Sequence, residues 1–151
     1  MAHSHRLRLG RVSRIGLSYH VRFSTRDRTP SLSELHTARS VIRSLQQEDR
    51  AERTATVCFV VMPDHVHWLL TLKHGSLGRS VSNVKHYSAR RLAPRIQWQS
   101  GFFDHALRTT DSLRNTARYI IANPLRAGLV SSVADYPHWD AVWLNGGDAV
   151  I

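Results

Sequence analysis

The sequence predicts an α+β fold in which helices cover one face of a four-stranded antiparallel sheet and a further helix follows at the C-terminal end. Three observations predict it. Residues 17–25 alternate between apolar and polar side chains, as a half-buried strand does. Residues 54–72 hold two apolar runs joined by a Pro-Asp turn, which is typical of a hairpin. Apolar side chains at helical intervals occupy the segments before and after these strands.

The first strand and the first helix come from the N-terminal third of the chain. LSYHVRFST, residues 17–25, predicts a strand, β1, with Tyr19, Val21 and Phe23 on one face and His20, Arg22 and Ser24 on the other. After Pro30, Ser31 and Glu34 have the spacing of a capping box. A helix, α1, is predicted from residues that recur at helical intervals: Leu35, Ala38, Val41, Ile42 and Leu45. We expect α1 to end in the polar stretch QQEDRAER, residues 46–53.

Two strands and a turn form the predicted centre of the sheet. TATVCFVVM, residues 54–62, is apolar on both faces, as a central strand is, and predicts β2. Pro63 and Asp64 are turn residues that lead directly into HVHWLLTL, residues 65–72, which predicts β3. β2 and β3 are therefore expected to form an antiparallel hairpin.

The remaining elements complete a known order. A helix, α2, begins near Leu77, with an apolar stripe and an opposite outer face that carries Arg79, Asn83, His86 and Arg90. WQSGFFDHALR, residues 98–108, predicts a strand, β4, with a bend at Gly101. TDSLRNTARYIIANP, residues 110–124, predicts a helix, α3, that ends at Asn123-Pro124. The order β1-α1-β2-β3-α2-β4 is that of a ferredoxin-like or RRM-like sandwich, to which α3 is an addition.

Length and composition predict one domain over residues 1–151, with a basic arm at 1–15 and a loose tail at 131–151. A chain of 151 residues can bury a core without disulfides or a structural metal. The single cysteine, Cys58, lies in an apolar run and is most simply a small buried residue. No segment approaches the roughly 20 apolar residues that span a bilayer. We therefore expect no membrane partner and a cytoplasmic location.

The charge balance favours nucleic acid as the partner. Lys and Arg number 21 and Asp and Glu number 11, so the formal net charge is +10. Such an excess on a small domain is self-repulsive unless it meets a polyanion. The alternative is a charge that serves solubility alone.

His65 and His67 open an otherwise apolar strand. Residues two apart on a strand share a face, so the two imidazoles project together from backbone positions about 6.6 Å apart. Two imidazoles at that spacing can bind one cation. The alternative is a pair of half-buried histidines at a sheet edge that hydrogen-bond to backbone.

Tyr119 and Asn123 are neighbours one turn apart on α3, to one side of its apolar stripe of Leu113, Ala117 and Ile120. Tyr119 therefore lies at the border between packed and exposed surface. Arg126 would lie on the same side if the helix continued past Pro124. The alternative for Tyr119 is an ordinary surface aromatic, and Tyr87 is a weaker rival as a nucleophile, since Arg91, four residues later, could not ligate a metal.

Four segments resemble the HUH single-tyrosine (IS200-like) transposases, and within them the REP-associated tyrosine transposases. They are GLSYHV, VMPDHVHWLL, WQSGFFDHALR and RYIIANPLRAGLV, the last being the most specific. The resemblance covers most of the chain. It implies that His65 and His67 bind a divalent ion, Mg²⁺ or Mn²⁺, and that the amide of Asn123 completes the metal site. It also implies that Tyr119, on a C-terminal catalytic helix, is the nucleophile.

The resemblance further implies a reaction on single-stranded DNA beside a hairpin of the repeated extragenic palindrome (REP) type. Tyr119 would attack a phosphate, leaving a 5′-phosphotyrosine and a free 3′-hydroxyl, and the reverse attack would rejoin strands without ATP. A bacterial, nucleoid-associated location follows. The tail departs from the family, because relatives often carry Tyr-Pro-aromatic-Ser-Ser where this chain has YPHWD, residues 136–140. Whether one subunit or a homodimer acts is left open.

Basic residues are the candidates for DNA binding, because phosphate contacts position a nucleic acid. The predicted set is Arg6, Arg8, Arg11, Arg14, Arg22, Arg26, Arg28, Arg79, Lys85, Arg90 and Arg126. Trp98, Phe102 and Phe103 could stack on unpaired bases, although core packing is the alternative for each. Two other functions remain open: a module that binds structured DNA or RNA without cutting it, and a metal phosphodiesterase that uses water.

Overall fold

The sheet has one more strand than the sequence predicted. The computed structural model describes residues 13–93 and 95–141. Its five strands have the order β4-β1-β3-β2-β5, and all neighbours are antiparallel. They are β1 (Ser18–Ser24), β2 (Thr54–Val61), β3 (His65–Leu72), β4 (Phe103–Leu107) and β5 (Trp139–Ala141). The first four have the ferredoxin-like order, so the predicted α+β fold is confirmed.

The helices lie between the strands as predicted. They are α1 (Leu35–Arg50), α2 (Leu77–His86), α3 (Thr110–Ile121) and a single turn, α4 (Asn123–Arg126). A π-helical turn, Tyr87–Leu92, follows α2. Short 3-10 turns lie at Arg26–Arg28, Ser31–Ser33 and Val133–Asp135. Within residues 13–93 and 95–141, no helix is long and apolar enough to cross a membrane.

Different helices cover the two faces of the sheet. α1 and α2 pack on one face, against residues such as Val21, Phe23 and Trp68. α3 packs on the other face, where Ile120 meets Leu69 and other apolar residues of the central strands. Because alternate residues of a strand point to opposite faces, the α3 face also carries His65 and His67 of β3 and the polar side chains of β1.

Residues 133–141 are not the loose tail that we predicted. β5 pairs with β2, with Ala141 opposite Cys58 and Trp139 opposite Val60. Tyr136 is buried, and its hydroxyl donates a hydrogen bond to the carbonyl oxygen of Val61. These contacts cover the outer edge of β2. Residues 142–151 and the arm residues 1–12 lie outside the described part of the chain.

The predicted capping box of α1 is wrong. Glu34 occupies the N-cap position but makes no side-chain cap bond. Ser31 belongs to the preceding 3-10 turn, and its carbonyl oxygen accepts a hydrogen bond from the Thr37 hydroxyl (2.5 Å). Leu35 is the first residue of the helix and is 53% exposed. The other residues of its predicted apolar stripe are buried or partly buried: Ala38, Val41, Ile42 and Leu45.

α1 ends at Arg50, inside the polar stretch 46–53 where we expected it to end. Glu48 is buried, and its carboxylate accepts two hydrogen bonds from Arg53, each 2.8 Å long. This bidentate pair satisfies the buried charge and lets the helix run through Arg50.

β4 is shorter than predicted, because the chain bends before it. Gly101 has a φ of 82°, a left-handed conformation that glycine adopts without strain, and the predicted bend is confirmed. Upstream of the bend, Trp98 makes only an isolated bridge to Thr25. β4 therefore begins at Phe103.

Candidate active site

His65 and His67 lie on β3 and project from the α3 face, and each has a neighbour on β1. β1 runs beside β3, with Arg22 opposite His67 and Ser24 opposite His65. The two imidazole rings have centroids 5.0 Å apart and are inclined by 79°. His65 is partly buried and His67 is buried. The structure therefore brings the two predicted ligands together, as neighbours on one face.

Asp64 and Arg28 hold the His65 ring. The Nδ1 of His65 lies 2.7 Å from a carboxylate oxygen of Asp64, and the other oxygen accepts from Nε of Arg28 at 2.9 Å. A carboxylate can only accept, so Nδ1 of His65 carries the proton and Nε2 keeps its lone pair. Arg28 Nη2 also lies 3.4 Å from the same Nδ1, but no lone pair is left there for it. The arrangement presents Nε2 of His65 to a ligand.

A strained turn brings Arg28 to this position. Asp27 and Arg28 have φ of 56° and 55°, a left-handed conformation that costs a non-glycine residue about 1–2 kcal/mol. The turn is fixed on the β3 side by Asp64, whose carbonyl oxygen accepts from the backbone N–H of Thr25 (2.9 Å) and from its hydroxyl (3.1 Å). Asp64 thus joins the turn to the histidine through both its backbone and its side chain.

His20, on β1, holds the His67 ring. Nε2 of His20 lies 2.9 Å from Nδ1 of His67, and the ring centroids are 5.1 Å apart. For His67 to offer Nε2 to a cation, it must carry its proton on Nδ1 and donate it to His20. Both β3 histidines are then held at Nδ1 and free to bind at Nε2, the arrangement in which metal-binding histidines are usually found.

Burial and positive neighbours keep these imidazoles neutral. Burial, His20, His65, Arg22 and Arg126 together lower the pKa of His67 to about 3. Burial, His105 and Arg22 lower the pKa of His20 to about 4. The pKa of His65 is lowered by burial, which outweighs the opposing effect of Asp64. Neutral imidazole is the form that binds metals, so all three are in the right state near neutral pH.

The Asp64 carboxylate remains ionised beside them. Burial raises its pKa, but the hydrogen bonds from Arg28 and His65 outweigh that effect and hold the pKa below its usual value. The ionised Asp64 carboxylate therefore holds both Arg28 and the His65 ring in position.

The donor set fits a divalent cation only in part. Two imidazole nitrogens suit transition metals, and an amide or phosphate oxygen suits Mg²⁺ or Mn²⁺. Within residues 13–93 and 95–141, no cluster of three or more His, Cys, Asp or Glu side chains is arranged to hold a metal. The protein therefore offers a histidine pair, to which Asn123, water or phosphate oxygens would have to be added.

Tyr119 lies near the exposed end of α3, and Arg126 folds back onto it. Tyr119 is 56% exposed. The Arg126 guanidinium carbon lies 3.9 Å from the centroid of the tyrosine ring, and Nη2 donates to the Tyr119 carbonyl oxygen at 2.6 Å. The charge of Arg126 is also one cause of the lowered pKa of His67. Arg126 thus connects the surroundings of the tyrosine with those of the histidine pair.

The chain past α3 makes this contact possible. Helical hydrogen bonding continues through Pro124, because the Arg126 N–H donates to the Ala122 carbonyl oxygen at 3.0 Å. Pro124 occupies an early position of α4, where its missing N–H costs no hydrogen bond. Asn123 begins α4 and is partly buried.

The predicted DNA-binding residues are divided between the two faces of the sheet. Arg22 lies on the histidine face. Arg28 reaches Asp64 from the 3-10 turn that follows β1. Arg14 and Arg26 are exposed. Arg79 and Arg90, also exposed, belong to α2 and the turn after it, on the opposite face. Arg6, Arg8 and Arg11 lie outside the described residues.

Lys85, which we predicted to bind DNA, is bonded within the fold. Its Nζ donates to the carbonyl oxygens of Gln99 (2.8 Å) and Gly101 (2.6 Å), and it lies 5.9 Å from the Phe23 ring centroid. The ammonium group therefore ties α2 to the bend before β4, and these contacts argue against a role in phosphate binding.

The three candidate stacking residues also differ. Trp98 is partly buried, packs edge-on against Phe23 and donates to the Ser88 hydroxyl (3.1 Å), and Phe102 is buried. Phe103 is 54% exposed, on the histidine face.

His20 and Asp64 are the site residues that we did not predict. The alternation of β1 predicts that His20 lies on its polar face. The ferredoxin-like order makes β1 the neighbour of β3, so the two observations together indicate that His20 contacts His67. The Pro63-Asp64 pattern predicts only a turn, in which Asp64 has a backbone role. Only the orientation of its carboxylate, which sequence does not give, identifies its second role.

The comparisons with known proteins agree with this fold. The family model described as "Transposase IS200 like" matches residues 13–123. The chain therefore belongs to the IS200-like transposase family, and the resemblance predicted from its motifs is confirmed.

Two curated relatives are named as REP-associated tyrosine transposases, one of them as putative. One, from Escherichia coli strain K12, is 32% identical over 81 residues, which are 52% of this chain and 49% of the relative. The chain spans about half the length of the curated relatives it matches. The structure of a REP-associated tyrosine transposase bound to a REP hairpin superposes with a TM-score of 0.74 at 24% identity, covering 85% of this chain and 79% of that one. At that identity the likeness shows the fold.

Proposed function

We propose that the protein is a metal-dependent nuclease and strand transferase that acts on single-stranded DNA at or near a REP-type hairpin. One observation carries the proposal: His65 and His67 project from the same face of the sheet with a polar partner at each Nδ1, and Arg126, which stacks on the exposed Tyr119, also influences the pKa of His67. A protein that only bound DNA would need cationic side chains such as those of arginine and lysine. It would not need two imidazoles that are held at Nδ1 and can bind a metal at Nε2.

His65, His67 and Asn123 are the residues that would hold Mg²⁺ or Mn²⁺. When bound, such an ion polarises the phosphate and offsets the charge that develops as it is attacked. Asp64 and His20 keep the imidazole rings in the tautomer and orientation that this requires.

Tyr119 supplies the nucleophile. Its Oη forms a bond to phosphorus as the bond from phosphorus to the 3′-oxygen breaks, so the phenol loses its proton and the leaving oxygen gains one. The products are a 5′-phosphotyrosine and a free 3′-hydroxyl. Reverse attack by a 3′-hydroxyl rejoins the strand, because the phosphotyrosine bond conserves the phosphodiester energy.

The exposed arginines position the strand. Arg22 is the register partner of His67 and Arg126 stacks on the Tyr119 ring, so these two would contact the phosphate under attack. Arg14 and Arg26 are exposed, and with the net charge of +10 they provide attraction that does not depend on sequence.

The experiment that tests the proposal traps the covalent product. We would incubate the protein with Mn²⁺ and hairpin-bearing single strands taken from inverted repeats beside its coding region. The expected product is a protein–DNA adduct that resists denaturant, is lost in Tyr119→Phe and is kept in Tyr87→Phe.

The other outcomes identify the alternatives. Cleavage without an adduct in the wild-type protein would indicate a phosphodiesterase that uses water. Hairpin binding without cleavage would indicate a binding module. An adduct that survives in Tyr119→Phe would refute the assignment of the nucleophile.

A further inference from the structure

Phe103, Arg22 and His67 lie side by side on three neighbouring strands. Arg22 is the register partner of Phe103 on β4 and of His67 on β3. Strands in a sheet are about 4.8 Å apart, so Phe103 is roughly 10 Å from His67 along this row. All three side chains are on the α3 face. A strand of DNA that crosses the sheet to reach the histidines could pass over both neighbours.

Phe103 is exposed in a way that core packing does not explain. More than half of its side chain, 54%, is accessible, although the adjacent Phe102 is buried. The Arg22 guanidinium carbon lies 5.6 Å from the Phe103 ring centroid, so the arginine contacts the phenylalanine and leaves much of the ring open. An exposed aromatic ring beside a cation is a typical stacking surface for an unpaired base.

One N–H group of the Arg22 guanidinium lacks a hydrogen-bond acceptor. Its Nε is buried and has no hydrogen-bond partner within the described part of the chain. A buried, unpaired donor on a cation is costly unless a ligand satisfies it. The carboxylate of Asp64, which precedes β3, is already bonded to Arg28 and His65.

The neighbours of Arg22 favour an anion as that ligand. Its register partners on the neighbouring strands are His67 and Phe103, neither of which is an anion. The site is therefore positive, and a guanidinium is suited to phosphate oxygens through its several N–H donors.

We propose that Phe103 and Arg22 form a nucleotide-binding subsite, in which an unpaired base stacks on Phe103 and the adjoining phosphate accepts hydrogen bonds from Arg22. The subsite rests on the proposed function, since it would deliver single-stranded DNA to the histidine pair. It selects unpaired nucleotides, because a base within a duplex has no free face to offer. It does not select a base by its edge, so sequence preference must come from elsewhere.

The test separates base contacts from phosphate contacts by using two probes without metal. One is a short oligothymidylate, and the other is a strand of the same length that carries abasic sites throughout. Phe103→Ala should weaken oligothymidylate binding about fivefold or more, by the usual effect of one lost stack, and leave binding of the abasic strand unchanged. Phe103→Trp should restore the affinity. Arg22→Gln should weaken both probes.

Leu35→Ala is the matched control, because Leu35 is similarly exposed (53%) but begins α1 on the other face. It should bind both probes as the wild type does, and melting curves should confirm that every variant is folded. The subsite is refuted if Phe103→Ala binds oligothymidylate normally or weakens both probes equally. Because these assays need no cleavage, their result is independent of whether Tyr119 forms an adduct.

Discussion

Nε2 of His20 and Nδ1 of His67 are 2.9 Å apart, on neighbouring strands of one sheet. This hydrogen bond joins a residue outside the predicted metal site to one of its ligands. It also fixes the plane of the His67 ring from within the sheet, where backbone pairing holds both strands in register.

Replacing His20 should therefore weaken metal binding. We expect His20→Ala to lower the affinity for Mn²⁺ about tenfold or more, the usual effect of losing an outer partner of a metal-binding histidine. His20→Gln should keep most of the affinity, because its amide oxygen can accept from Nδ1 of His67. Titration calorimetry on the Tyr119→Phe background measures this, with the exposed His86→Ala as control. Equal affinities in His20→Ala and the control would contradict the prediction.

Asp64→Asn tests the other half of the arrangement. The substitution removes the charge that accepts from Nδ1 of His65 and from Arg28. Mn²⁺ affinity should fall about tenfold or more, and the pKa of His65 should fall further, because Asp64 is the group that raises it. Proton NMR titration of the metal-free protein follows the second effect. An unchanged pKa would mean that the carboxylate does not interact with the ring in solution.

Arg126→Met tests the connection to the nucleophile. Methionine keeps an unbranched side chain of similar length but loses the cation over the Tyr119 ring and the bond to its carbonyl oxygen. We expect the rate of adduct formation to fall about tenfold or more, while hairpin affinity falls no further than for one lost phosphate contact. Arg114→Met, at an exposed position of α3, is the control for affinity. Parallel losses in rate and affinity would assign Arg126 to DNA binding alone.

The histidine cluster should also make stability depend on pH. In the folded protein the pKa of His20 is about 4 and that of His67 about 3, against 6.5 when unfolded. The unfolded chain therefore binds protons first as the pH falls. The free energy of unfolding should be at its full value above pH 6.5 and decrease below it, by up to about 1.4 kcal/mol per pH unit for each histidine.

Urea unfolding between about pH 4 and 6.5 measures this slope. His20→Gln should reduce it, whereas His86→Gln should leave it as it is, because His86 is exposed. A slope that His20→Gln does not change would place the protonation elsewhere.

Tyr136→Phe tests whether β5 and the segment before it stabilise the sheet. The change leaves the Val61 carbonyl oxygen without its buried donor, so we expect a loss of about 1–3 kcal/mol in the free energy of unfolding. Tyr119→Phe, at an exposed ring, should change it by less than about 0.5 kcal/mol. Similar small changes in the free energy of unfolding for both variants would mean that β5 and the segment before it add little to the stability of the sheet.

The parts of the fold that the sequence predicts are those with strong periodicity. The alternation of β1 and the apolar hairpin of β2 and β3 follow from simple patterns, and their order places His20 beside His67 without further information. β5 is not predictable in this way, because three residues carry no periodic pattern and pair only when β2 is already formed.

The site is less predictable than the fold, because it depends on side-chain direction. Lys85 was predicted to bind DNA because it is a basic residue of α2, yet its ammonium group donates to the carbonyl oxygens of Gln99 and Gly101, at the bend before β4. Arg28 reaches Asp64 through a left-handed backbone at Asp27 and Arg28, a conformation that aspartate adopts more readily than most residues but that nothing in the RDR turn indicates for Arg28. Such contacts depend on tertiary geometry rather than on local sequence.

Burial of Cys58 has a practical consequence. Burial raises the pKa of its thiol to about 12, so almost none is present as the reactive thiolate near neutral pH. The chain has no other cysteine. A cysteine introduced at an exposed position, such as Leu129→Cys, would therefore react selectively with maleimide dyes, and one fluorophore could be attached without first removing the natural thiol.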